Sequence, residues 1–225
     1  SSAPRPLTEF MKKADVVLAI GSSLTRTPFG PQVPAGKKII HSTNDPGDIN
    51  KDYMANAAVA GDAKLVLRAL IDEVSKRKGN KGDTAALAAE VKGAKKKWRE
   101  EWMPQYTSAE TPINQYRIIW DLMNNIDLDN TIITHDSGSP REQLLPMWEA
   151  TTPGSYIGWG KSTQLGYGLG LAMGAKLACP DKLCINVWGD AAIGFTGTDL
   201  ETAARDRIPI LSILLNNEAM AIELP

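Results

Sequence analysis

Two short segments of this chain have residue types and spacing that could do chemistry. One is Trp188-Gly189-Asp190-Ala191-Ala192-Ile193-Gly194-Phe195, and the other is Asn216-Asn217. Asp190 offers a carboxylate and Asn217 a neutral amide oxygen, and a backbone carbonyl just beyond Asn217 would add a third oxygen. Donors of this mixture suit magnesium, a hard cation that takes one or two protein ligands and fills its octahedron with phosphate and water. Gly189 and the small Ala191 and Ala192 let backbone N–H groups approach phosphates closely. Gly-Asp and Asn-Asn are also ordinary turn residues, and either dipeptide alone reads more simply as a turn. Their pairing across one supersecondary unit carries the signal.

That unit is legible. Residues 183–188 (LCINVW) and 210–215 (ILSILL) read as buried strands. Between them Thr198 to Arg205 reads as a short helix, with Thr198 and Glu201 spaced as a capping box. Strand, helix and strand within about thirty residues make a right-handed βαβ unit, so both polar ends fall on the carboxyl edge of a parallel sheet. Open α/β folds bind ligands at that edge. Residues 131–136 (TIITHD) read as a further strand after the turn Asp129-Asn130. Ser137-Gly138-Ser139-Pro140 follows, leading into a helix at Arg141. A small-residue loop at a helix N-terminus is an anion cradle, and it is equally an ordinary proline-initiated helix start.

The stretch Gly160-Lys161-Ser162-Thr163-Gln164-Leu165-Gly166-Tyr167-Gly168 then leads into a small-residue helix from Leu169 to Ala178, ended by Pro180. Its glycines do not fit G-x-G-x-x-G, so a dinucleotide fingerprint is not supported. Gly170 and Gly174 are expected to let this helix pack closely on the sheet. The apolar run is too short to span a membrane.

In the first part of the chain, residues 14–21 read as a buried strand and 38–41 as a second. A polar turn region follows, then a short apolar stretch at 58–60 and an amphipathic helix over 63–74. Residues 85–102 read as a helix with Lys95-Lys96-Lys97 on a solvated face. Thr111 as N-cap and Pro112 at the first helical position would open a helix carrying Ile113, Ile118, Ile119, Leu122 and Met123. A net charge of −1 and 43% hydrophobic residues lead us to expect a soluble cytoplasmic protein with a real core and no nucleic-acid partner. Cys179 and Cys184 alone make no zinc site. His135, at a strand end, reads either as a substrate contact or as a hydrogen-bonded structural histidine.

The segment from Gly189 to Asn217 resembles the thiamine diphosphate signature, which opens with Gly-Asp-Gly and closes with Asn-Asn at this spacing. Ala191 stands where the signature has its second glycine, as in acetolactate synthases. The resemblance to the acetolactate synthase-like enzymes implies magnesium ligation by Asp190, Asn217 and the carbonyl of Ala219. It places Gly189 and backbone groups of Ala191 and Ala192 at the diphosphate. Ser137, Gly138 and Ser139 would hold one end of that diphosphate, although Ser139-Pro140 replaces the Gln-His pair usual after the glycine. The stretch around Leu165 resembles the Gly-x-Gly-Thr-Met-Gly-Tyr-Gly segment that grips the aminopyrimidine ring. Leu165 would be the apolar prop that bends the cofactor, its N–H bonding a ring nitrogen, and the carbonyl of Thr163 would accept from the 4′-amino group.

By the same resemblance, the fold is α/β, with parallel sheets flanked by helices. Residues 1–74 would be the C-terminal part of a central Rossmann-like domain and 75–108 a helical linker. Residues 109–225 would be a thiamine diphosphate-binding domain truncated at its C-terminus. The implied reaction is decarboxylation of a 2-keto acid with transfer of the activated aldehyde. The Gly194-Phe195-Thr196-Gly197 stretch leans instead towards oxalyl-CoA decarboxylases and 2-hydroxyacyl-CoA lyases, whose substrates are acyl-CoA thioesters, and a non-catalytic cofactor-binding scaffold is a third reading. The glutamate that activates the cofactor lies on a pyrimidine-binding domain or subunit outside this chain, so the chain is expected to be inactive alone. A homodimer or homotetramer is expected. Gly21-Ser22-Ser23 can border a flavin in such enzymes, but only Arg26 stands near, so FAD is left open and is not predicted.

Overall fold

The computed structural model describes residues 4–26, 32–77, 82, 84–158 and 164–220. The chain divides into two compact units, one running to Glu101 and the other beginning at Trp102. Both are parallel α/β structures, as the sequence pattern leads one to expect.

The first unit contains α1 (Arg5–Lys13), β1 (Val16–Ile20), β2 (Lys38–Thr43), β3 (Ala57–Ala60), α2 (Ala63–Lys76) and most of α3 (Thr84–Tyr106). Its sheet has the order β1-β2-β3, all parallel. Asp62 starts α2 by accepting from the N–H of Leu65 at 3.0 Å, the side-chain cap that satisfies a helix's first free donors. The expectation of a buried first strand is corrected: within β1 only Ala19 is buried, and Leu18 is 54% exposed. β1 lies at the edge of its sheet, so its apolar residues show a strand's propensity without a strand's cover. Lys95, Lys96 and Lys97 lie exposed on α3, as expected.

In the second unit follow α4 (Gln115–Asn125), β4 (Thr131–His135), α5 (Ser139–Met147), β5 (Tyr156–Ile157), α6 (Tyr167–Ala178), β6 (Leu183–Gly189), α7 (Asp190–Thr196), α8 (Asp199–Arg205) and β7 (Leu211–Leu215). The sheet order is β5-β4-β6-β7, again all parallel. β4 and β6 are the inner strands and are buried along nearly their whole length, so that they take in the polar side chains of Thr131, Thr134, His135 and Asn186 as well as the apolar ones. β7 is not the buried strand its sequence suggests. It sits at the sheet edge with Leu211 and Leu214 exposed.

Three local expectations also change. Thr111 and Pro112 do not open a helix. α4 begins at Gln115 because Asn114 caps it, accepting from the N–H of Tyr116 at 2.9 Å, and Ile113 is left outside and exposed. Thr198 has helical backbone angles and makes no side-chain cap, so the capping box with Glu201 is not formed. The Asp190–Thr196 segment, for which the sequence gives no helix, is itself a short helix, so two helices separate β6 from β7. Among the described residues, no helix is long and apolar enough to cross a membrane.

Candidate functional site

Strand register assembles the site. His135 pairs with Val187 across β4 and β6, and the N–H of Asp136 continues the ladder to the carbonyl of Val187 at 2.8 Å. Gly189 pairs with Leu215 across β6 and β7. The three strands therefore end side by side, and the segments Ser137–Ser139, Gly189–Ala192 and Asn216–Ala219 emerge together at the carboxyl edge.

On this edge Gly138 has φ +84°, a left-handed conformation that favours glycine, and it caps α5, which begins at Ser139. A methyl group on Gly189 would meet both the Leu215 carbonyl and the Pro140 ring at 3.9 Å, so the β4 and β7 loops flank the end of β6. Asp190 is half-buried at the first position of α7, and its Oδ1 accepts from the N–H of Ala191 at 3.0 Å. Ala192 is buried one position further. Asn217 is exposed, its Oδ1 accepting from the N–H of Ala219 at 3.2 Å, a tight turn that brings the Ala219 backbone back towards its own amide. One carboxylate, one amide oxygen and the backbone carbonyl of Ala219 would make a hard-oxygen set. They match magnesium shared with phosphate better than zinc or any soft metal. Among the described residues no group of three His, Cys, Asp or Glu side chains could hold a metal alone. A cation here would need oxygens from its own ligand, as a magnesium diphosphate has.

The turn before α6 is built differently. Leu165 is half-buried and packs against the cluster of Leu169, Trp188 and Ala192, which joins α6, the end of β6 and the start of α7. Gly166 has φ +91°, and a Cβ there would lie 2.8 Å from the Phe195 Cβ. Gly168 has no room at all: a Cβ would lie 2.5 Å from Asn186 Oδ1 and 3.0 Å from the His135 carbonyl. Gly168, which the sequence did not single out, is therefore the glycine that packs on the sheet. Gly170 and Gly174, expected in that role, are exposed with nothing within 4 Å of a Cβ. Thr163, expected to meet the pyrimidine amino group, lies outside the described residues.

Asp136 was also missed. It is fully buried just past β4, and its carboxylate accepts from three backbone N–H groups, of Ser137 at 2.8 Å, Gly166 at 2.9 Å and Gly168 at 3.1 Å. A buried carboxylate must find donors. An acidic residue ending an apolar strand, with only small residues after it, was the available signal.

His135 next to it is only 2% exposed and donates from Nδ1 to the Asp136 carbonyl at 3.1 Å, with Tyr156 against its ring. Burial holds its imidazole below the ordinary 6.5, against a weaker upward pull from that hydrogen bond. Burial likewise pushes the Tyr156 and Tyr167 phenols up. The buried neutral imidazole fits the structural reading of His135. Because its folded value is depressed, the unfolded chain takes up the proton first. The stability linked to His135 is whole above pH 6.5 and is lost as pH falls below that value. His135→Gln should flatten this part of the acid loss, read as urea midpoints between about pH 7 and pH 5. An unchanged slope would place the acid sensitivity elsewhere.

Sequence comparison bears on what this edge is for. Residues 2–70 match the family described as thiamine pyrophosphate enzyme, central domain, and residues 136–223 match the thiamine pyrophosphate enzyme C-terminal TPP binding domain. The chain belongs to the thiamine pyrophosphate enzymes. The second match begins at Asp136 and takes in all three edge segments. Similar proteins include the catalytic subunit of mitochondrial acetolactate synthase of Aspergillus candidus, 31% identical over 223 residues, covering 92% of this chain and 31% of that protein. A "probable acetolactate synthase large subunit" of Methanocaldococcus jannaschii is 30% identical over 228 residues, covering 93% of this chain and 36% of its own length. The acetolactate synthase large subunit of Buchnera aphidicola from Acyrthosiphon pisum is 28% identical over 215 residues, covering 94% and 36%. This thiamine pyrophosphate enzyme chain thus spans roughly a third of the length of such relatives.

Proposed function

We propose that this chain provides the diphosphate- and magnesium-binding part of an enzyme that decarboxylates a 2-keto acid and passes the aldehyde unit to an acceptor, as an acetolactate synthase does. The observation that carries the reading is the register that sets Asp190 beside the Asn217 turn, inside the segment matched to the TPP binding domain. Asp190, Asn217 and the Ala219 carbonyl would hold magnesium. Ser137, Gly138, Ser139 and the backbone of Gly189, Ala191 and Ala192 would bind the diphosphate, and Leu165 and Thr163 would face the pyrimidine. The donor set and the close, small-residue edge fit that group. Bound there, thiamine diphosphate supplies the electron sink that 2-keto acid decarboxylation needs.

The chain's own part is to bind, to orient and to exclude water. Leu165, packed against the cluster of Leu169, Trp188 and Ala192, offers a fixed apolar surface, and such positioning contributes to rate by lowering the entropy cost of bringing reacting groups together. The protonating glutamate would come from a separate pyrimidine-binding domain or subunit, and the working unit would be a cytoplasmic homodimer or homotetramer. The domain limits proposed are 1–74, 75–108 and 109–225.

Calorimetric titration of thiamine diphosphate into the full-length protein, with magnesium and then with EDTA, tests the reading. Magnesium-dependent binding followed by turnover of pyruvate is expected. Turnover of oxalyl-CoA instead would move the protein to the acyl-CoA lyases. Tight binding without turnover of either would favour a scaffold, and no binding would sink the assignment.

A further inference from the structure

The Leu165–Gly168 turn is tied down at both of its glycines, on donor and acceptor sides alike. Asp136 takes the N–H of Gly166 on Oδ1 at 2.9 Å and the N–H of Gly168 on Oδ2 at 3.1 Å. Thr196, on α7, donates from Oγ1 to the Gly166 carbonyl at 2.6 Å. Thr134, on β4, donates from Oγ1 to the Gly168 carbonyl at 3.1 Å. Asp136 Oδ1 also holds the N–H of Ser137 at 2.8 Å, the first residue of the β4 loop. One fully buried carboxylate therefore joins the Ser137 loop to the turn that carries Leu165, while Thr196 joins that turn to the helix that begins at Asp190. Hydrogen bonds to an ionised acceptor are the stronger kind, and a closed set of them fixes geometry more tightly than packing alone.

We propose that Asp136 is a positioning residue. Its carboxylate sets the turn behind Leu165 at a fixed place relative to the Ser137 loop, and so fixes where the pyrimidine end of the cofactor lies once its diphosphate is seated. The inference rests on the cofactor reading given above and adds to it which residue of this chain enforces the cofactor's shape. A carboxylate is required because both of its oxygens accept. Asparagine in the same place could keep Oδ1 on Ser137 and Gly166, but would turn an N–H towards the N–H of Gly168.

The test separates the two ends of the cofactor. Inorganic pyrophosphate and thiamine diphosphate, each with magnesium, are titrated into the full-length protein and into Asp136→Asn. Pyrophosphate affinity should hold, while thiamine diphosphate affinity should fall by about tenfold or more, the loss expected from one hydrogen bond to a charged group. Hydrogen exchange in the cofactor-free protein should show the Gly166 and Gly168 amides protected, with protection lost at Gly168 in the variant. Should Asp136→Asn fail to fold, Thr196→Val removes the donor to Gly166 from the opposite side and should give the same split, with Thr196→Ser restoring the unaltered values. Equal losses for both ligands, or fast exchange at Gly166 and Gly168 in the unaltered protein, would overturn the positioning role. So would an unchanged thiamine diphosphate affinity in both variants, and the cofactor reading would survive. Failure of the unaltered protein to bind thiamine diphosphate would overturn that reading and this inference with it.

Discussion

Asp190→Ala is expected to abolish magnesium-dependent binding of thiamine diphosphate while leaving the fold in place. Asp190 is the one charged donor in the proposed ligand set, since Asn217 contributes an amide and Ala219 a carbonyl. Magnesium gives up its water reluctantly, and without a carboxylate the neutral oxygens have little with which to displace it. The loss should be on the order of a hundredfold or more, the range seen when a hydrogen-bonded charge pair loses one partner. Asp190 also sits at the first position of α7, where a negative charge is worth only about 0.3–1 kcal/mol to the helix, so the effect on stability should be small beside the effect on binding. Calorimetry with and without magnesium reads the first, and circular dichroism the second. Asp199→Ala, at an exposed carboxylate opening α8, is the control and should bind normally. Unchanged affinity in Asp190→Ala would remove the metal from this edge.

Gly168→Ala should damage the second unit more than any other glycine-to-alanine change in α6. Helix propensity argues the other way, since alanine is favoured over glycine by about 1 kcal/mol inside a helix. Space decides against it. The new methyl group would stand 2.5 Å from Asn186 Oδ1 and 3.0 Å from the His135 carbonyl, and the latter is backbone of an inner strand. Overpacking of this sort typically costs about 1–3 kcal/mol, and more where backbone must move. The shift would also pull at the bonds from Thr134 and Asp136, so cofactor affinity should fall with the melting temperature. Gly170→Ala in the same helix meets nothing and should hold or raise the melting temperature. If the two variants melted alike, the close approach of α6 to the sheet would be wrong.

Much of this architecture was legible because the inner strands announce themselves. A strand covered on both faces has no polar alternation to hide it, and Cys184, Ile185, Val187 and Trp188 are all buried as their types suggest, with the polar Asn186 buried among them. The same logic fails at edges. Ile210 to Leu215 is as apolar, yet among the described residues β7 and β1 have one neighbouring strand each, and exposure of Leu214 or Leu18 depends on partners that residue type does not encode. Helix starts misled where two signals competed. Pro112 suits a first helical turn, but Asn114 is the better cap, and its side chain won. α7 carries no clear sequence signal, because Asp190–Thr196 is only seven residues long and contains a glycine, the weakest helix former after proline. At the site, Asp190 and Asn217 were readable as a pair at fixed spacing. Asp136 was not, because its three donors are backbone groups, one adjacent and two from a distant turn, and backbone donors leave no mark in composition.

The pairing of Gly189 with Leu215 carries one more consequence, for the order in which this edge is assembled. The Asn217 turn emerges next to the start of α7 only when β7 has zipped onto β6 in that register, and a slip of one residue would turn the side chains of β7 to the opposite face. Among the described residues β7 is held from one side only, with part of its apolar surface exposed. An ion bridging the two loops would therefore bind the zipped state and not the frayed one, and by mass action would stabilise the outermost strand of the sheet. Under the proposed function, cofactor occupancy and closure of the sheet edge would be coupled, and amide exchange along Leu211–Leu215 would report on both.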